Sequence, residues 1–210
     1  MMKLNNITKS VTAALLVAVS SVVIAETVTV DATVTVNNAI DFQHTGTLDF
    51  GSLRATAGGG ADMCAILTLS SDSAAPTLTA AASGATTLCT AGDTDSVIQS
   101  IGGVPARPEF TVSGVAAFTD LKLTLPTATT LSAAGLPAGA ATFSLGNFTA
   151  YRTSGIAPGP ITTVLATDNS GNAAFRVGAQ IATHVAALGA GLNYQDGVAY
   201  KGTFDVTVEY

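Results

Sequence analysis

Two stretches near the ends of the chain alternate apolar and polar residues with a strict period of two. In "TVTVDATVTV" (27–36), Val28, Val30, Ala32, Val34 and Val36 fall on one side, and Thr27, Thr29, Asp31, Thr33 and Thr35 on the other. In "YKGTFDVTVEY" (200–210), Tyr200, Gly202, Phe204, Val206, Val208 and Tyr210 alternate with Lys201, Thr203, Asp205, Thr207 and Glu209. An extended chain places residues i, i+2 and i+4 on one face, whereas a helix would scatter them around its circumference. Both stretches are therefore predicted strands, each with one face to bury.

The sequence between them reads the same way. Thr and Val favour half-buried strands, and glycine recurs too often for long helices. Short apolar or alternating runs occur at "AIDFQH", "TLDFGSL", "MCAILTLS", "PTLTA", "ATTLCT", "PEFTVSG", "LKLTLP", "ATFSLGNFTAY", "ITTVLAT" and "NAAFRVGA". Turn signals separate them: "AGGGA" (57–61), "AGD" (91–93), "IGGVP" (101–105), "APGP" (157–160) and "DNSG" (168–171). Many short strands at this spacing predict an all-β fold, an immunoglobulin-like antiparallel β-sandwich of about seven to nine strands. Two stretches fit less well. Residues 70–87 are poor in bulky side chains and read as a loop with a ragged hairpin around Gly84, and residues 180–197 as a helical turn or a surface excursion.

The first 25 residues stand outside this pattern. Lys3 and Lys9 precede an uncharged apolar run, Val11 to Ala25, that ends in small residues at Val23-x-Ala25. This is the arrangement of a secretory signal peptide cleaved after Ala25. The run is shorter than the roughly 20 residues of a membrane-spanning helix, and no second candidate span follows. The expected organisation is a signal peptide over 1–25 and a single β-sandwich domain over 26–210, opening on the amphipathic strand 27–36. Localisation is expected to be secreted, in the periplasm or at the extracellular cell surface. An outer-membrane barrel is the structural competitor, but it needs strands of about ten residues and aromatic girdles, and this chain is 6% aromatic with no Trp.

The formal net charge is −6, and loss of Lys3 and Lys9 with the leader makes it −8. Only 10% of the residues are charged, so the surface is one of hydroxyls and small groups. An acidic chain so poor in Lys and Arg is a poor match for nucleic acid or an anionic membrane. The two cysteines, Cys64 and Cys89, read as a disulfide in an oxidising compartment; two free thiols are the alternative.

The residues offer little chemistry. His44 and His184 are the only histidines, and they lie in separate segments. There is no zinc-binding His-Glu-x-x-His, no nucleophile elbow and no phosphate-loop or dinucleotide fingerprint. After the leader the glutamates are Glu26, Glu109 and Glu209, with two of the three near the ends, and Asp49 reads equally as a strand-edge residue, so no carboxylate pair suits glycoside hydrolysis. Asp93 with Asp95, and Asp168 with Asn169 and Asn172, have oxygen ligands suited to calcium, but neither set fills a binding loop, and these residues also form plain turns. No catalytic residue, metal site or cofactor is assigned, and the chain is not expected to be an enzyme.

"LDFGSL" (48–53), "FTVSG" (110–114) leading to "LKLTLP" (121–126), "NAAFRVGA" (172–179) and the closing "YKGTFDVTVEY" resemble, in order and spacing, a secreted Gram-negative family known as domain of unknown function 4402. More distantly, "LDFG" and the Tyr-x-Gly-Thr-x-x-Val-Thr-Val-x-Tyr ending are similar to spore coat protein U and the archaic chaperone–usher pilins. Subunits of that group are immunoglobulin-like sandwiches lacking a final strand, which the N-terminal extension of the next subunit supplies. The resemblance implies that Val28, Val30, Ala32, Val34 and Val36 form a donor strand. It implies that Tyr200, Gly202, Phe204, Val206, Val208 and Tyr210 line the acceptor as the final strand. It also implies a periplasmic chaperone and an outer-membrane usher as partners. The pilins carry their first cysteine close behind the extension, whereas here it waits until Cys64.

The resulting expectation is a structural surface protein, a pilin-like or coat-like subunit assembling by β-strand addition. The alternative is a monomeric secreted β-sandwich that binds a glycan or protein through its loops. Alternation does not separate the two, because a slot accepts a strand from either chain.

Overall fold

The structure, a computed structural model, describes residues 27–35, 39–58, 63–72, 75–81, 88, 89, 91, 92, 95–185, 188 and 192–210. The leader assigned to 1–25 lies outside them, as do Val36, Asp93 and the Gly84 turn. Two units divide the chain, Met1–Val36 and Asn37–Tyr210. In the first, residues 27–35 form no strand, and Val28, Val30 and Val34 are 77%, 80% and 88% exposed. The expected opening strand is therefore not formed there. Alternation prepares a strand, but a ladder needs a partner to take its N–H and C=O groups.

The second unit is all-β, with no helix among the described residues. Its strands are β1 (Asp41–Thr45), β2 (Ser52–Thr56), β3 (Met63–Cys64), β4 (Ile66–Leu69), β5 (Leu78–Ala81), β6 (Ala91–Gly92), β7 (Val97–Gly102) and β8 (Glu109–Ser113). They continue with β9 (Asp120–Thr124), β10 (Ala128–Leu131), β11 (Phe143–Ser154), β12 (Gly159–Ile161), β13 (Val164–Ala166), β14 (Ala173–Ala182) and β15 (Thr207–Glu209). Thirteen lie in antiparallel sheets and agree with the sandwich-like fold expected from the sequence; the short β3 and β6 pair in parallel. The count exceeds the expected seven to nine because several runs are split, as "ITTVLAT" is between β12 and β13.

The large sheet has eight strands, in the order β1-β8-β14-β11-β10, with β12 on β11, β4 on β14 and β5 on β4. β14 lies between β8 and β4 on one side and β11 on the other. Its odd-numbered residues Phe175, Val177, Ala179 and Ile181 are buried on one face. A three-stranded sheet, β13-β9-β15, packs on one half of that face, and Phe110, Val112, Leu121, Leu123, Leu165 and Phe175 lie in the core between. The β2–β7 ribbon covers the other half over Phe50, Leu67, Leu69, Ile98, Phe143 and Ile181.

Three local features hold this arrangement. On leaving β4 the backbone crosses so close to Gly178 that a Cβ there would stand 2.4 Å from the carbonyl oxygen of Leu69. Only glycine fits. In β11 a bulge between Gly146 and Thr149 puts Asn147 in the left-handed region at φ 47°. It turns Phe148 toward both halves of the core. A Cys64–Cys89 disulfide ties the segment after β5 to β3, beside Ile66 and Ala182.

Candidate functional site

β15 ends the three-stranded sheet. It pairs with β9 through Thr207–Thr124, Val208–Leu123 and Glu209–Lys122, and its other edge is unpaired among the described residues. Strand β1 ends the large sheet in the same way, paired among the described residues with β8 alone. Both edge strands send apolar side chains into one core cluster. Ile40 and Phe42 come from β1 and the residue before it, and Phe204, Val206 and Val208 from the last segment. All five stay half-buried, whereas Leu121, Leu165, Phe175 and Val177 beneath them are almost fully enclosed. Phe42 stacks on Phe110 at 5.6 Å and Phe110 on Phe175 at 5.1 Å, so an aromatic row runs from the sheet edge into the core. Both edges thus border the same partly covered core cluster.

The last segment was expected to run as one strand from Tyr200 to Tyr210. It does not. Lys201 bridges Ser132, next to β10, and regular pairing resumes only at Thr207, on β9. The segment thus passes from the large sheet to the small one. Its alternation survives: Tyr200, Phe204, Val206 and Val208 are half-buried between exposed Lys201, Thr203, Asp205, Thr207 and Glu209. Gly202 is exposed, yet its backbone presses on β10, where a Cβ would lie 2.6 Å from the carbonyl oxygen of Thr130. Tyr210, expected to face inward, is 55% exposed, since it lies beyond the ladder's last pair. On the outer face Lys122 meets Glu209 at 2.5 Å, an exposed pair of small energetic weight.

Among the described residues, no group of three or more His, Cys, Asp or Glu side chains could hold a metal ion. His44 sits on β1 beside the Phe110 ring, with centroids 5.8 Å apart. The backbone N–H of His184 donates to the Tyr194 hydroxyl at 2.7 Å. Asp49 accepts from the Gly51 N–H at 2.8 Å. The Asp168 carboxylate accepts the N–H groups of Ser170 (2.8 Å) and Asn172 (2.9 Å), so it serves as a turn former.

Sequence reasoning missed Tyr194. Its ring stacks on Phe143 at 4.2 Å, and its hydroxyl donates to the Thr142 carbonyl at 2.9 Å. Burial holds the phenol well above its usual titration range. Of the stretch 180–197, read from sequence as a helical turn or a surface excursion, residues 180–182 continue β14, and Tyr194 fastens the part from Leu192 onward to the start of β11. A single tyrosine in "LNYQDG" gives no periodic signal that would reveal this.

Comparison with known proteins adds no relative: the chain matches no family model, no curated protein and no solved structure.

Proposed function

We propose that this protein is a secreted structural subunit that assembles by β-strand addition, with residues 27–36 of one copy seated along the open β15 edge of the next. The observation that carries this reading is the pairing of that edge with five half-buried apolar side chains on one core cluster. The occupant has the matching chemistry. Val28, Val30 and Val34 repeat at the spacing of side chains on one face of a strand, and they are exposed. Burying one valine stabilises by about 1.5–3 kcal/mol, and the added ladder supplies the edge with hydrogen bonds. Three such side chains would hold a neighbour firmly.

The family likeness of the "LDFGSL" and "YKGTFDVTVEY" segments supports the same reading and extends it. On that reading, residues 1–25 direct export, a periplasmic chaperone covers the edge before assembly, and an outer-membrane usher passes subunits to the surface. The disulfide is compatible with a secreted or periplasmic location.

The test is a denaturing gel of the native protein, with and without boiling. Strand-linked polymers should run as a ladder that collapses to one band on heating. Deletion of residues 26–36 should remove the ladder and leave a folded subunit that binds a synthetic 27–36 peptide. A single band without boiling, from protein at assembly concentration, would overturn the proposal and favour a monomeric binding module.

A further inference from the structure

A second recess lies where the last segment changes sheets. The chain is pinned at Lys201 against Ser132 and again at Thr207 against Thr124. Between these points the stretch from β9 to β10 has two residues more than the segment opposite, and it includes Pro126, which has no N–H to give. The two segments are tied between these points by the Thr129 hydroxyl, which donates to the Thr203 carbonyl at 3.1 Å, and beside that tie a depression of about 340 Å³ opens. Leu125, Pro126 and Phe204 supply apolar surface. Thr124, Thr203 and Thr207 supply hydroxyls, and Asp205 an exposed carboxylate.

We propose that this depression binds one uncharged pyranose ring of a glycan. The chemistry selects the ligand. Among the described residues no cation lines the recess, so an anion has no counter-charge from them. A carboxylate accepts hydrogen bonds from two neighbouring sugar hydroxyls, and such charge-assisted bonds are the stronger kind. The threonine hydroxyls donate and accept in turn. Leu125, Pro126 and Phe204 suit the C–H face of a ring. The volume sits at the small end of ligand pockets, roughly 300–1,000 Å³, which fits a single sugar. Thr203, Asp205 and Thr207 belong to the outward set of the last segment, while Val206 and Val208 face the core. The recess shares Phe204 with the strand seat, but its hydroxyls and carboxylate belong to the outward set, so its occupation needs no assembly.

The probes are the methyl glycosides of glucose, galactose, mannose and N-acetylglucosamine, titrated by saturation-transfer NMR and calorimetry. At least one should bind saturably, with a Kd on the order of 1 mM, as expected for an open single-sugar site. Asp205→Asn should weaken it about tenfold, the scale of one lost hydrogen bond to a charged group, and Thr203→Val should weaken it less. Circular dichroism should show both variants folded. Absence of saturable binding by all four glycosides, or equal binding by folded Asp205→Asn protein, would overturn the proposal. Asp205→Asn should leave the heat-labile ladder intact, and deletion of 26–36 should leave glycoside binding intact. The two proposals therefore fail separately.

Discussion

Phe148 and Phe204 lie with ring centroids 5.0 Å apart, and each touches both halves of the core. Phe148 reaches this place because the bulge at Asn147 turns it inward; Phe204 reaches it as the last segment crosses between sheets. Phe148→Ala should therefore loosen both halves together. The expected loss is about 3 kcal/mol, at the lower end for a phenylalanine because the side chain is only half-buried. Urea unfolding followed by fluorescence and by circular dichroism should show one coincident transition at a lower midpoint.

Tyr194→Phe keeps the ring stacked on Phe143 and removes only the hydroxyl. The Thr142 carbonyl and the His184 N–H each lose a partner, at an expected cost of about 1–3 kcal/mol. The wild-type protein should also carry an alkaline signature. The folded phenol titrates above the unfolded one, which loses its proton near pH 10. Its contribution is therefore complete below about pH 10 and is lost as pH rises toward the folded value. Urea midpoints measured from pH 8 to pH 11 should fall at the alkaline end, and less steeply in the phenylalanine variant.

The disulfide closes a loop of 25 residues. Replacing Cys64 and Cys89 together by alanine should lower stability by about 3 kcal/mol through the freed unfolded chain. Denaturant midpoints of the oxidised wild type and the double variant give the number. A dithiol reductant should bring the wild type close to the variant.

Phe118 holds an uncommon backbone conformation, φ 55°, with its ring 65% exposed. Hydrogen bonds from its own N–H to the Asp168 carbonyl (2.9 Å) and from the Thr119 N–H to Thr167 (2.8 Å) keep it there. Phe118→Gly should relieve roughly 1 kcal/mol of strain and raise the melting temperature by a few degrees. A lower melting temperature would show that the exposed ring makes contacts whose loss outweighs the strain.

Period-two alternation found most of the strands, because a side chain's face on a pleated chain follows from its position alone. "NAAFRVGA" became β14, "PEFTVSG" β8 and "LKLTLP" β9 in this way. The same rule failed at 27–35, where the pattern is strict and no strand forms, since pairing depends on a partner that the segment does not encode. It also failed in the middle of 200–210, where the chain crosses from Ser132, next to β10, to β9 and leaves the ladder in between. The Cys64–Cys89 bond was legible from count and compartment. Tyr194 and the Asp205 recess were not, because each is made by residues far apart in sequence and carries no repeat.

The crossing of the last segment from β10 to β9 also governs when the protein can mature. Residues 201–209 seal the rim of one sheet and supply a member of the other. A chain emerging N-terminus first holds Phe148 and the β9–β10 corner ready long before Phe204 arrives. Neither half of the core can lock while those closing residues are still being made. Maturation should then wait for residues 201–209, and their deletion should leave a protease-sensitive product.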